Sequence, residues 1–96
     1  MGYAQFQRNN MRKYYAYLAR CNDNSLYAGY TNNLKEREIK HNEGNGAHYT
    51  RIRRPVKIVY HEEFINRADA MKREAQFKQL SKQEKEDLLK IPTNLS

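Results

Sequence analysis

Long apolar runs are missing from this 96-residue chain, and cysteine is down to a single residue. No stretch approaches the roughly 18 apolar residues that a membrane-spanning helix needs. A basic start followed by a hydrophobic stretch is absent too, so no signal peptide and no membrane partner are expected, and the expected compartment is the cytoplasm. A lone thiol, Cys21, excludes an intramolecular disulfide and a cysteine-based zinc site. At a strand end it reads as a small packed residue rather than a nucleophile. Repeats, low-complexity tracts and linkers long enough to separate two domains are also missing. The expectation is one domain with a modest core over residues 14–90. A loosely ordered basic extension, 1–13, precedes it, with Met11 as a second start, and a tail, 91–96, follows. Acids are scarce: 11 stand against 18 lysines and arginines, which leaves a net charge of +7. Such an excess attracts polyanions and says little about fold.

What the chain has instead is tyrosine. Five of them fall in Tyr14–Thr31, at 14, 15, 17, 27 and 30. Alternation around the turn cluster Asn22-Asp23-Asn24-Ser25 predicts two antiparallel strands, about Tyr14–Cys21 and Ser25–Thr31. So many phenols exceed what a modest core can satisfy, so some hydroxyls should face a polar site. Gly29 inside the second strand marks either a place where something approaches the backbone or a simple strand irregularity.

A helix capped by Thr31 or Asn32 should run to about Asn42, stopped by Gly44 and Gly46. Leu34, Arg37, Glu38 and His41 fall on one face of it. A lone arginine there would pair with a carboxylate; Arg37 together with His41, facing the tyrosine hairpin, reads equally well as a site. From Gly44 to Tyr60 there is no acid, but there are Arg51, Arg53, Arg54 and Lys57. With Gly46, His48 and Tyr49 among them, this reads as a nucleic-acid-binding loop: guanidinium forks suit phosphates, and glycine allows close backbone approach. Pro55 introduces a third strand, Val56–Phe64, with Val56, Ile58 and Tyr60 on one face.

Asn66 with Asp69 signals another helix to about Leu80. Its apolar stripe comprises Ala70, Met71, Ala75, Phe77 and Leu80, with Glu74 in the middle. A carboxylate there is costly unless paired or bound to a metal. A functional role is preferred to an i,i+4 pair with Lys78, because such a pair contributes only ~0.3–0.5 kcal/mol and belongs on an outer face. Ser81 to Glu84 is a capping box opening a short last helix with Leu88, Leu89 and Ile91, ended by Pro92.

In order, Tyr15-Ala16-Tyr17, Tyr27-Ala28-Gly29, Arg37, His41 and Glu74 resemble the GIY-YIG nuclease superfamily, in particular its small single-domain bacterial members. The resemblance covers about Tyr14 to Leu89 and extends to GNGAHYTRIRRPVKIVYHEEF and KREAQFKQLSKQEK. It implies an α/β (α+β) fold, a small three-stranded, mostly antiparallel sheet flanked by helices. It also implies phosphodiester cleavage with Mg²⁺ (or Mn²⁺) at a single site, on nucleic acid, with DNA ahead of RNA. By position, Tyr17, Tyr27 and Arg37 would be catalytic, His41 auxiliary, Glu74 the metal ligand, and Gly29 the glycine of the second motif. Tyr49, Arg51, Arg53 and Arg54 would grip the nucleic acid. The departures are Tyr15 for glycine, Ala16 and Ala28 for isoleucine, and Glu38 where relatives more often carry an apolar residue, with Ile39 displaced around the helix. No residue matches the C-terminal asparagine that some relatives use.

The resemblance makes Tyr17 the general base and Tyr27 the group that orients water or phosphate. A phenol of pKa ~10 is barely ionised at neutrality; bringing it to ~8 takes ~2.7 kcal/mol, expected from Arg37 or a metal-bound water. The rival reading is a non-catalytic nucleic-acid-binding module on the same scaffold. With no second module, specificity is expected to be low or lent by a protein partner.

Overall fold

A computed structural model describes residues 12–91. The predicted extension up to Met11 and the tail from Pro92 lie outside them. Strand β1 (Tyr14–Arg20) turns back into β2 (Leu26–Thr31). Helix α1 (Leu34–Glu43), a single helical turn α2 (His48–Arg51), strand β3 (Lys57–Phe64) and helices α3 (Arg67–Gln79) and α4 (Lys82–Leu88) follow. The sheet is antiparallel throughout in the order β2-β1-β3, so β1 is central. None of these helices is long and apolar enough to cross a membrane.

Because β1 lies between two layers, its alternate residues feed two separate cores. Ala16 and Leu18 pack with Ala28, Tyr60 and Phe77, with Leu80, Leu88 and Leu89 beside them. Tyr17 and Ala19 pack with Cys21 and Val56, joined by Tyr27, Leu34 and Ile58. Period-two strands covered on both sides give this division. The expectation that Val56, Ile58 and Tyr60 share a face is overturned. Leu18 pairs with Tyr60 but Ala19 pairs with Ile58, so Val59 is the extra residue of a bulge. The bulge reverses the alternation and sends Tyr60 to the Phe77 core and Ile58 to the Tyr17 core.

Asn24 takes the left-handed conformation (φ 71°) at the hairpin turn, and Asp23 accepts from the Ser25 amide and hydroxyl. Asparagine tolerates that backbone region. Helix α1 is capped by Asn33, which accepts from the Glu36 amide, rather than by Thr31 or Asn32. The Thr31 hydroxyl accepts from Asn33's own amide one step earlier. Gly44 ends the helix at φ 86°, its amide reaching the His41 and Lys40 carbonyls, a conformation that costs glycine little. Two polar side chains hook α1 to β3. The Ile58 amide donates to Glu38 at 2.7 Å, and Asn42 exchanges two hydrogen bonds with the Val56 backbone. Glu38 is thus a sheet anchor at the bulge, while Ile39 is half exposed.

Asn66 caps α3 by accepting from Asp69, as predicted. Its buried stripe is narrower than predicted: Ala70 and Phe77 are fully buried, but Met71 is 43% exposed. Ser81 and Glu84 form the expected capping box. Helix α4 is tied back to the end of β1 by a two-pronged Arg20–Glu86 pair.

Candidate active site

Tyr17 stands opposite Gly29 across the β1–β2 ladder. A Cβ at Gly29 would lie 2.5 Å from the Tyr17 hydroxyl. The missing side chain is the space in which the phenol lies, so Gly29 serves close approach by a ring rather than a strand irregularity. The hydroxyl ends 2.7 Å from Nε2 of His41, which is itself 1% exposed. On the far side of the imidazole, Nδ1 is 2.8 Å from Oγ1 of the fully buried Thr50. That hydroxyl donates its one proton to the Ala47 carbonyl at 2.9 Å. It must therefore accept from Nδ1–H. In neutral His41 this leaves Nε2 as a bare acceptor, and the Tyr17 O–H is its donor.

Gly46 closes the pocket, since a Cβ there would collide with His41 Nδ1. The sequence assigns Gly46 to phosphate approach; here the imidazole takes the space. Thr50 drew no attention in the sequence. Its only signal is spacing, nine residues beyond His41 in the segment that folds back over α1.

Burial pushes the Tyr17 phenol well above its ordinary pKa, and the charge of Arg37 opposes this only in part. Arg37 by itself therefore does not bring the phenol down; the lowering to ~8 is an expectation for the assembled site with metal and substrate. Burial, then Arg37, holds His41 below its ordinary value, against a smaller upward pull from Glu38. His41 is neutral at pH 7 and able to receive a proton. Burial also raises the phenol of half-buried Tyr27; Lys78 and Arg37 pull it down and Glu74 pushes it up. The Tyr27 ring meets His41 edge-on at 5.6 Å and stacks on Tyr49 at 5.8 Å.

The carboxylate of Glu74 is close enough to raise both phenols. It does form the i,i+4 pair with Lys78, at 3.2 Å, that the sequence reading ranked second. With Met71 outside the stripe, Glu74 lies at the edge of the apolar face, where an exposed lysine can reach it. Its side chain is 18% exposed. No cluster of three His, Cys, Asp or Glu side chains occurs among the described residues. A partly open single carboxylate with a displaceable partner fits Mg²⁺, which keeps several waters and takes its other ligands from substrate phosphates.

Arg37 forms no ion pair among the described residues. It lines a cleft of about 250 Å³ with Tyr14, Tyr30, Thr31, Asn32 and Arg67. The basic segment is used differently. Arg53 pairs with Asp23 at 2.9 Å, donates to the Tyr49 carbonyl and lies 3.7 Å over the Tyr49 ring. Arg54 donates to the Arg51 and Asn42 carbonyls. Arg51 is exposed and reaches only His48, at 3.4 Å. Arg51 and Arg54 border an open groove with Asn42, Ile52 and Pro55. The Tyr49 hydroxyl donates to Ser25.

The family model of the GIY-YIG catalytic domain matches residues 13–87. A UPF0213 protein of Staphylococcus saprophyticus is 49% identical over 82% of this chain and 96% of its own length. One of Pediococcus pentosaceus is 52% identical over 80% of this chain and 81% of its own. Among solved structures, the solution structure of a UPF0213 protein from Bacillus halodurans superposes with a TM-score of 0.54 at 38% identity, covering 85% of this chain and 87% of that one. A protein from E. faecalis gives 0.55 at 42% identity over 84% and 86%.

Proposed function

Since the chain belongs to the GIY-YIG catalytic-domain family, we propose that it is a divalent-metal-dependent nuclease that hydrolyses phosphodiester bonds in nucleic acid, DNA ahead of RNA. The observation that carries this reading is the directed chain from Tyr17 through His41 to Thr50 beside Arg37, a guanidinium with no carboxylate partner among the described residues. Hydrolysis needs an activated water and relief of the charge that grows on the phosphate. Tyr17 is buried in the free protein; a water that reaches its oxygen when substrate binds gives up its proton there as the phenol passes its own to Nε2 of His41. The hydroxide so formed adds to phosphorus while the bond to the leaving oxygen breaks. This route avoids a free phenolate, which burial disfavours. The resulting imidazolium keeps its Nδ1–H bond to Thr50. Arg37 stabilises the charge growing on the scissile phosphate, and Tyr27 orients the water. Glu74 would hold the Mg²⁺ or Mn²⁺, whose charge, when bound, favours the developing negative charge and the departing oxygen.

The test is incubation of purified protein with Mg²⁺ and a panel of single-stranded, duplex and branched DNA, with an RNA strand alongside. Cleavage by wild type, lost in both Glu74→Ala and Arg37→Ala, supports the proposal. Equal cutting by all three would mean a contaminating nuclease. Salt-sensitive binding without any product would leave the non-catalytic binding module as the function.

A further inference from the structure

Arginine usage divides this surface in two. Arg20, Arg53 and Arg73 are paired with Glu86, Asp23 and Glu62. Arg54 is taken up by backbone carbonyls, and Arg51 leans on a histidine. The remaining described arginines, Arg12, Arg37 and Arg67, form no ion pair among the described residues. Residues 1–11 and 92–96 contain no acidic side chain that could supply one. All three gather at one end of the sheet. Arg37 and Arg67 line the same cleft, and Arg67 lies 5.7 Å from the Tyr14 ring. Arg12 and Arg67 both pull the Tyr14 phenol below its ordinary pKa.

Apart from the Tyr14 contact, no partner among the described residues offsets these charges. Like charges share a small cleft with no acid on its walls. Arg67 also sits in the first turn of α3, where the exposed amides of the helix already carry partial positive charge. Elsewhere, Arg51 excepted, the guanidinia are paired with carboxylates or bonded to backbone carbonyls. Here Arg37 and Arg67 line a space whose other walls are Tyr14, Tyr30, Thr31 and Asn32.

We propose that the cleft between Arg37 and Arg67 is a second phosphate site, holding the phosphodiester next to the one being cut, with Arg67 as a substrate-positioning residue. The inference deepens the nuclease reading by assigning the path of the strand: across the β1–α3 end of the sheet rather than along the Gly44–Pro55 segment. Arg67 neither touches the scissile phosphate nor moves a proton. It sets where the strand lies, so its loss weakens binding and raises KM while kcat stays near wild type.

The experiment measures binding of a short labelled single-stranded oligonucleotide by fluorescence anisotropy, in EDTA, across a KCl series. Removing one phosphate contact lowers the slope of log K against log salt by about 0.7 for a single strand. Arg67→Gln is expected to show that drop with several-fold weaker binding at low salt, Arg67→Lys to restore most of it, and Arg20→Gln, at the far end of β1 and paired with Glu86, to leave the slope unchanged. An unchanged slope in Arg67→Gln overturns the site, whether or not the protein cuts. A reduced slope in a protein that never cleaves with Mg²⁺ keeps the site and overturns the nuclease reading. A wild type that fails to bind overturns both.

Discussion

The hydroxyl of Tyr17 donates to Nε2 of His41 at 2.7 Å, inside a pocket that two absent side chains make possible. The direction of that hydrogen bond follows from Thr50, whose only proton goes to the Ala47 carbonyl. The phenol therefore has a neutral base already aligned to take its proton, although burial holds its own pKa high.

Thr50 should act as a positioning residue through this tautomer. In Thr50→Val, Nδ1–H loses its acceptor, at a cost of about 1–3 kcal/mol for an unpaired buried donor. The cleavage rate should fall and its pH profile shift, because the Nε2–H tautomer is no longer disfavoured. Thr50→Ser should recover most of both. Chemical denaturation and single-turnover rates from pH 5 to 8 check this.

The two glycines should resist the smallest addition. Gly29→Ala drives a methyl into the Tyr17 hydroxyl, and Gly46→Ala drives one into the His41 ring. Overpacking of this kind costs about 1–3 kcal/mol. Both variants should melt lower and lose cleavage. Gly44→Ala, strained at φ 86° but remote from the phenol, should lose stability with activity largely retained.

Acid stability should depend on Glu86. Arg20, then Lys82, holds its carboxyl down to about 2 from the ordinary 4.5. A depressed carboxyl stabilises the fold above its unfolded pKa, and that contribution is lost as pH falls through the folded value. Between pH 4.5 and 2 the unfolded chain binds the extra proton, so the melting temperature should fall. Glu86→Gln should be less stable at pH 7, and its difference from wild type should close toward pH 2.

His41 works in the same direction, although here it is the charged form that the fold disfavours. Its folded pKa lies below the ordinary 6.5, so the unfolded chain takes up the proton first and stability drops as pH falls below that value. Cleavage should have an acidic limb below pH 6.5 that disappears in His41→Gln, which should be slow at every pH.

Much of this was legible from local pattern. The hairpin turn at Asn22–Ser25, the inward face of α1, the Asn66 cap and the Ser81–Glu84 box each rest on residues spaced no more than four positions from the next. What escaped depends on long-range pairing. The Val59 bulge exists only in register with β1, so alternation read along β3 alone put Ile58 and Tyr60 on one face. Arg53 looked free for phosphate because Asp23, its partner, is thirty residues away across the hairpin turn. Glu74 appeared central to an apolar stripe because Met71 was counted in it. Thr50 and Gly46 gain meaning only once the segment after α1 folds over His41.

If the Tyr17 oxygen is chemical machinery rather than core filling, cleavage must collapse when that single atom is removed. Tyr17→Phe keeps the ring in place and leaves His41 Nε2 without a donor, a modest stability cost of about 1–3 kcal/mol. Single-turnover cleavage with saturating enzyme and Mg²⁺, measured well below the melting temperature, should fall by about 10²–10⁴-fold, the usual range for general acid–base catalysis. A folded Tyr17→Phe protein that cuts at the wild-type rate would mean that the Tyr17 oxygen takes no part in the chemistry.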